Sequence, residues 1–384
     1  MTTTKDNFCV LVMGYRQELC RALERLGISY AIWSSKKLKS ERACLYLHVG
    51  EFPRSNNKIF AVLSKLHQFG PFTHVIAGTE ASVYPAAVAR RILKAREATI
   101  SVALRCHDKL QMKSYLRQHG IPMTDFVAGD DIDNPEEILQ RLGVPLVIKE
   151  RQESGGRGIR LVESGQDLFR YSGRRKIIEK FVSAPEASVE SFINKGEIQF
   201  ESVTLYHKKR HTNLVPGGLQ SNVQRSLLAL NRDVIKALKI KWGITHMEAY
   251  LSDDGILFGE IALRPPGGYI MELIGKAYDF SSWDALVYME LDLPFEFPDS
   301  YSSHTAVHII HPGAGTIDNI ENWDEIKKLP SVYRAKLKVK AGDVIGERIG
   351  VGEDAGYILF SNRDRKRLLA DAEYVTHHLN FVLL

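Results

Sequence analysis

Between Thr245 and Gly268 the sequence THMEAYLSDDGILFGEIALRPPGG constrains the fold more tightly than any other stretch of the chain. Polar and apolar residues alternate on both sides of Ser252-Asp253-Asp254-Gly255, which is the pattern of a β-hairpin. With a three-residue loop and Gly255 in the left-handed position, Ser252 pairs with Ile256, Tyr250 with Phe258 and Glu248 with Glu260. The same register sets His246 opposite Ala262. Two carboxylates facing each other cost stability in an empty hairpin. They become a site once a hard divalent cation shares their oxygens. Arg264 ends the second strand, and Pro265-Pro266-Gly267-Gly268 forms a sharp turn with exposed backbone N–H groups. Two acids, an arginine and a glycine turn point to phosphate chemistry.

A chain of 384 residues is too long for one ordinary core. Phe8 to Gly14 reads as a buried parallel strand, and the helical pattern Leu19, Ala22, Leu23, Leu26 stops at Gly27. Strands at Ile28–Trp33, Cys44–Val49 and His74–Gly78 alternate with helices at Ile59–Phe69 and Glu80–Lys94, which predicts a doubly wound α/β domain over about 1–105. No G-x-G-x-x-G follows the first strand, so a dinucleotide-binding reading has little support.

After His107 the pattern changes. Asp108-Lys109 opens a helix that Gly120-Ile121-Pro122 stops. Pro145 to Lys149 is a strand running into Glu150-Arg151-Gln152-Glu153-Ser154-Gly155-Gly156-Arg157-Gly158, with a return strand at Ile159–Val162. Strand, glycine loop and strand make a flap rather than a P-loop, because no G-x-x-x-x-G-K-[ST] leads into a helix. Such a loop can lay backbone N–H groups over phosphates, although an ordinary glycine-rich hairpin has the same pattern. Arg175–Val182 is a strand, Asn213–Gly218 a loop and Val223–Leu238 a helix, while Tyr301–Leu384 reads as short strands and turns.

The net charge of +5, with a pI near 8.8, is too mild for a nucleic-acid binder and suits an enzyme of anionic substrates. Basic clusters such as Lys36-Lys37-Leu38-Lys39 and His207-Lys208-Lys209-Arg210 are scattered and read as solvated faces. Cys9, Cys20, Cys44 and Cys106 lack metal-site spacing and read as reduced thiols of a cytoplasmic protein. No apolar run approaches a membrane span.

In order and spacing, Lys109, the segment Lys149–Ile159, the hinge Glu179-Lys180-Phe181-Val182 and Glu260-Ile261-Ala262-Leu263-Arg264 resemble the ATP-grasp superfamily of carboxylate–amine ligases. The form H-x-E, then E-x-A-x-R and a glycine pair, is most similar to its L-amino-acid ligase branch. The resemblance implies an α/β plus α+β architecture. A doubly wound pre-ATP-grasp domain would span 1–105, an ATP-grasp domain 106–300 with a mobile glycine-loop subdomain at about 120–182, and a C-terminal α+β portion 301–384. Two departures stand out: Ala262, where many members carry asparagine, and Glu150, where proline is common.

The resemblance also implies roles. Lys109 and Lys149 contact the phosphates of ATP, and Ser154, Gly155, Gly156 and Gly158 close over them. The backbone of Glu179, Lys180, Phe181 and Val182 reads the adenine edge, and Glu186 reads the ribose. Glu248 and Glu260 hold Mg²⁺, with Mn²⁺ as its substitute. Arg264 with the Gly267 and Gly268 backbone stabilises the tetrahedral centre. His246 reads either as a substrate contact or as a structural histidine, and Pro216 and Gly217 are assigned to a substrate loop. The expected reaction transfers the γ-phosphoryl group to a small carboxylate, and an amine then attacks the acyl phosphate. The partners are small-molecule carboxylates and amines, amino acids foremost, with no nucleic acid and no membrane. A homodimer is the expected assembly. Two alternatives are a non-catalytic ATP sensor, which would still bind ATP without turnover, and a bicarbonate-using carboxylase, against which Ala262 counts.

Overall fold

The computed structural model describes residues 8–38, 40–95, 100–208, 211–350 and 352–384. Lys39, Lys209 and Arg210, named above in basic clusters, lie outside the described residues. The chain begins with β1 (Cys9–Met13), α1 (Gln17–Arg25), β2 (Ser29–Ser34), β3 (Leu47–Val49), α2 (Asn56–Leu66), β4 (His74–Ala77) and α3 (Val83–Leu93). These strands are all parallel, in the order β3-β2-β1-β4. Val10, Leu11, Val12 and Met13 of β1 are fully buried because helices cover both faces of the sheet. The order reverses between β1 and β4, and there the loops after both strands diverge to opposite faces.

Next come α4 (Ile100–Arg105) and α5 (Lys109–Arg117), then β5 (Phe126–Ala128), α6 (Pro135–Leu142), β6 (Leu146–Glu150), β7 (Arg160–Val162), α7 (Gly165–Tyr171) and β8 (Lys176–Lys180). These last strands form a separate small sheet, β5-β8-β6-β7, packed on α6 and α7. Glu150, where the resemblance led us to note a missing proline, stands opposite Lys176 in the β6–β8 register and accepts a hydrogen bond from its ammonium. Its role is a cross-strand ion pair at the root of the flap.

The third part holds β9 (Glu186–Asn194), β10 (Glu197–Lys208), β11 (Thr212–Val215), α8 (Ser221–Leu238), β12 (Gly243–Ser252), β13 (Gly255–Ala262), α9 (Ile270–Tyr278), α10 (Ser282–Glu290), β14 (His304–Ile310), β15 (Gly315–Glu321), α11 (Trp323–Ile326), β16 (Val332–Leu337), β17 (Val344–Ile345), β18 (Gly356–Asn362), α12 (Arg365–His378) and β19 (Asn380–Leu383). One eight-stranded sheet, β13-β12-β9-β10-β11-β14-β18-β16, runs through it. The residues after Tyr301 therefore extend the central sheet through β14, β18 and β16. They also include the 14-residue helix α12, where the sequence led us to expect only short strands and turns. That helix buries Leu368, Ala372 and Val375 on a narrow stripe among charged residues, so its apolar period is easily overlooked.

Candidate active site

A cavity of about 770 Å³ opens between the N-terminal domain, the small sheet and the eight-stranded sheet. The hairpin β12–β13 forms its floor, with Glu248 opposite Glu260 and His246 opposite Ala262. The route to that register differs from the expected one. Ser252 pairs with Gly255 across a two-residue loop, and the register shifts by one between Glu248 and Ala249. Gly259 is the extra residue of this bulge, and a Cβ there would stand 2.9 Å from the Glu248 carbonyl oxygen. The shorter loop and the bulge cancel.

The two acids do not face each other uncompensated. The Tyr206 hydroxyl donates to Glu248 Oε1 at 3.1 Å, and His246 Nε2 lies 3.2 Å from the same oxygen. Lys109 Nζ lies 3.2 Å from Glu260 Oε2 and donates to the Glu153 carbonyl at 2.6 Å, so it links floor to flap. Burial would raise the Glu248 carboxyl, but the hydrogen bonds from His246 and Tyr206 and the Lys149 charge hold it down to about 2. His246 is gripped from both sides. Its Nδ1 lies 2.7 Å from Glu190 Oε1, and the fully buried Glu190 also accepts from Ser188 and Thr204 at 2.6 Å each. Burial would lower the imidazole, and the two carboxylates instead lift it to about 9. With both ring nitrogens engaged, His246 offers no free nitrogen to a substrate. Ala262, opposite it, is buried.

The roof is the flap. Its base is fixed to α5, because Arg151 grips the N-cap carboxylate of Asp108 with Nε at 3.0 Å and Nη2 at 2.8 Å. Lys149 Nζ donates to Glu179 Oε2 at 2.9 Å, and Lys113 Nζ lies 3.1 Å from that oxygen. Lys113 is buried, four residues along α5 from Lys109 on the same face, and the sequence reading missed it. Burial would raise the Glu179 carboxyl, yet the two ammonium groups hold it down to about 2 and push Lys149 upward. Glu179 Oε1 is buried without a protein partner.

Lys109, Lys149, Ser154, Gly155, Gly156, Glu179, Lys180, Phe181, Val182, Glu186, His246, Glu248, Glu260, Arg264, Gly267 and Gly268 all line this cavity. Gly158, Pro216 and Gly217 do not. Gly158 sits at the return of the flap against Glu150. Gly217 is packed on Val203 and Leu205, and its N–H donates to the Val203 carbonyl, so this loop serves the sheet. Sequence reasoning also missed Glu80. It accepts from Arg264 Nε at 3.0 Å and lies 2.9 Å from His107 Nδ1. Burial would raise its carboxyl, and His107 and Arg264 overcome this and hold it down to about 2.

The C-terminal part reaches the flap through Gly350, where a Cβ would stand 2.8 Å from Arg157 Cγ and 3.0 Å from the Gly155 carbonyl. Gly350→Val therefore pushes the flap outward. We expect ATP affinity to fall several-fold and flap proteolysis to speed up, with little change in melting temperature. Calorimetry and timed digestion measure both.

Glu248 and Glu260 supply the donor set that Mg²⁺ takes when phosphate oxygens complete its shell. Among the described residues no three His, Cys, Asp or Glu side chains form a cation cage. The fold is that of an ATP-grasp enzyme. Residues 114–272 match the ATP-grasp domain, and 308–383 match the L-amino acid ligase C-terminal domain 2. The chain is thus an ATP-grasp carbon–nitrogen ligase carrying the C-terminal domain of the L-amino acid ligases. It is 27% identical over 326 residues to an L-arginine-specific L-amino acid ligase of Bacillus subtilis, covering 78% of each chain. Its fold is similar to that of an L-amino acid ligase from Bacillus licheniformis, with a TM-score of 0.84, 17% identity and 98% and 99% of the two chains covered. It is also similar to N5-carboxyaminoimidazole ribonucleotide synthetase from Thermotoga maritima, with a TM-score of 0.76, 17% identity and 98% and 100% covered. All four described cysteines are free, and among the described residues no helix is long and apolar enough to cross a membrane.

Proposed function

We propose that this protein uses ATP to join the carboxylate of one small amino acid to the amine of another, through an acyl phosphate, releasing ADP and phosphate. The observation that carries this reading is the convergence of Lys109, Lys149, Glu248, Glu260 and Arg264 on one cavity beneath a glycine flap. A carboxylate is a poor electrophile, and phosphorylation supplies a leaving group. Neither step needs a protein nucleophile, so the protein's task is alignment and charge neutralisation.

Lys109 and Lys149 hold the triphosphate. Glu248 and Glu260 hold the Mg²⁺ that neutralises phosphate charge when bound. Arg264, oriented by Glu80, faces the oxyanion that develops when the amine attacks. The flap excludes water, which would otherwise hydrolyse the acyl phosphate. Glu179 Oε1, kept ionised by two lysines, is an acceptor only. It suits the amino group of adenine and rejects the carbonyl at the same position of guanine. The test is a screen of amino-acid pairs with ATP and Mg²⁺: phosphate release that depends on the supplied acid and amine supports the reading. Tight ATP binding with no active pair would count for the sensor alternative.

A further inference from the structure

One loop of the C-terminal part meets the cavity in two places. Gly350 lies against Arg157 and the Gly155 carbonyl of the flap. Asp354, further along the same loop, lines the cavity wall beside Tyr269 and Lys338. Its Oδ2 accepts from the Tyr269 hydroxyl at 2.9 Å and from Lys338 Nζ at 2.6 Å, and the side chain is only 5% exposed. Glu353 closes the loop on itself, because its Oε2 accepts from the N–H groups of Ile349 and Gly350 at 2.9 and 3.2 Å.

Tyr269 follows Gly267 and Gly268 directly and opens α9 with φ of 62° and ψ of 14°. A residue with a Cβ keeps such a left-handed conformation only where its surroundings hold it. Gly268 before it is left-handed too, with φ of 60°. Two contacts fix the Tyr269 side chain: its hydroxyl is on Asp354, and its ring packs on Tyr357 with centroids 4.3 Å apart. On the other side, Asn213 Nδ2 donates to the Gly268 carbonyl at 3.3 Å. The planar peptide joining Gly268 to Tyr269 is thereby held at both ends. The glycine turn cannot swing without breaking one of these contacts.

We infer that Asp354 is a positioning residue for the ligation: through Tyr269 it sets the Gly267-Gly268 turn, and through the loop it shares with Gly350 it ties that setting to a flap seated over the cavity. This rests on the ligase reading. Amine attack then has its oxyanion donors in place while the flap keeps water out.

Tyr269→Phe cuts the link with the least disturbance, since phenylalanine keeps the ring and drops only the hydroxyl. In the reaction, the donor carboxylate oxygen attacks the γ-phosphorus and ADP leaves. The amine nitrogen then attacks the acyl carbon, the carbon–oxygen bond to phosphate breaks, and the nitrogen gives up a proton. An acyl phosphate that the amine fails to meet is lost when water attacks its phosphorus, which breaks the phosphorus–oxygen bond and returns the donor acid with phosphate. That path needs nothing from the turn, so the amide formed per phosphate released reports on the turn. With ATP, Mg²⁺ and an amino-acid pair that the wild type joins, the ratio should be close to unity in the wild type. It should fall about tenfold in Tyr269→Phe, since small misplacements of an aligned group are costly, while ATP affinity and melting temperature hold. Trypsin cleavage after the exposed Arg157 of the flap, with ATP bound and no acid supplied, should quicken several-fold, a change that a defect confined to Tyr269 would not produce. If Tyr269→Phe does not fold, Asp354→Ala carries the same two readings. An unchanged ratio in a folded variant, or flap cleavage at the wild-type rate, overturns the inference. A wild type that releases no phosphate with any acid and amine pair would instead overturn the ligase reading itself.

Discussion

Glu260→Gln should lose turnover by at least about 10²–10³-fold, the range seen when one preorganised charge-stabilising group is removed, in a protein that still folds. Glutamine keeps the shape and removes the charge that would hold the metal between the phosphates. The sequence alone suggested that this change relieves a like-charge pair, so that melting without Mg²⁺ would rise or stay level. The structure changes the second half of that expectation. Lys109 lies 3.2 Å from Glu260 and already offsets the repulsion. Both side chains keep some exposure, so the lost pair costs no more than about 1 kcal/mol. Steady-state kinetics and a thermal melt separate the two effects. A large fall in melting temperature would give Glu260 a structural role.

The hairpin was legible because alternation and one glycine are local signals. Its acids were aligned by two features that the alternation does not report. A two-residue loop shifts the tip one way, and the bulge at Gly259 shifts the base back. Other parts of the site are not local. Glu80 and Arg264 are 184 residues apart in sequence, and nothing in either neighbourhood names the other. Glu80 does carry a signal, since it follows the carboxyl end of a parallel strand in the sheet, but using it requires the strand order. Lys113 looks like an ordinary surface lysine on an amphipathic helix, and only the fold shows it buried against Glu179.

That buried triad gives the second large effect. Glu179→Gln removes the carboxylate that, among the described residues, forms an ion pair with Lys113, leaving the Thr124 hydroxyl at 3.0 Å as a hydrogen-bond partner. Breaking a buried ion pair from one side costs about 3–5 kcal/mol, so chemical denaturation should show a loss of that order. The sign with pH follows from the carboxyl. Its folded value is depressed to about 2 from 4.5, so its stabilisation is complete above about pH 4.5 and fades as pH falls toward 2. The gap in melting temperature between wild type and variant should narrow over that window. A gap that is constant with pH would mean the loss comes from packing. The same variant should weaken the preference for ATP over GTP, because a glutamine amide can rotate to donate.

The central claim is that an acyl phosphate forms in this cavity, and oxygen labelling tests it directly. With a donor amino acid carrying ¹⁸O in its carboxylate, phosphoryl transfer leaves one labelled oxygen bridging carbon and phosphorus, and amine attack releases it with phosphorus. Mass spectrometry should therefore find ADP, the amide product and inorganic phosphate containing one ¹⁸O. AMP with pyrophosphate, or unlabelled phosphate beside the amide, would contradict the account.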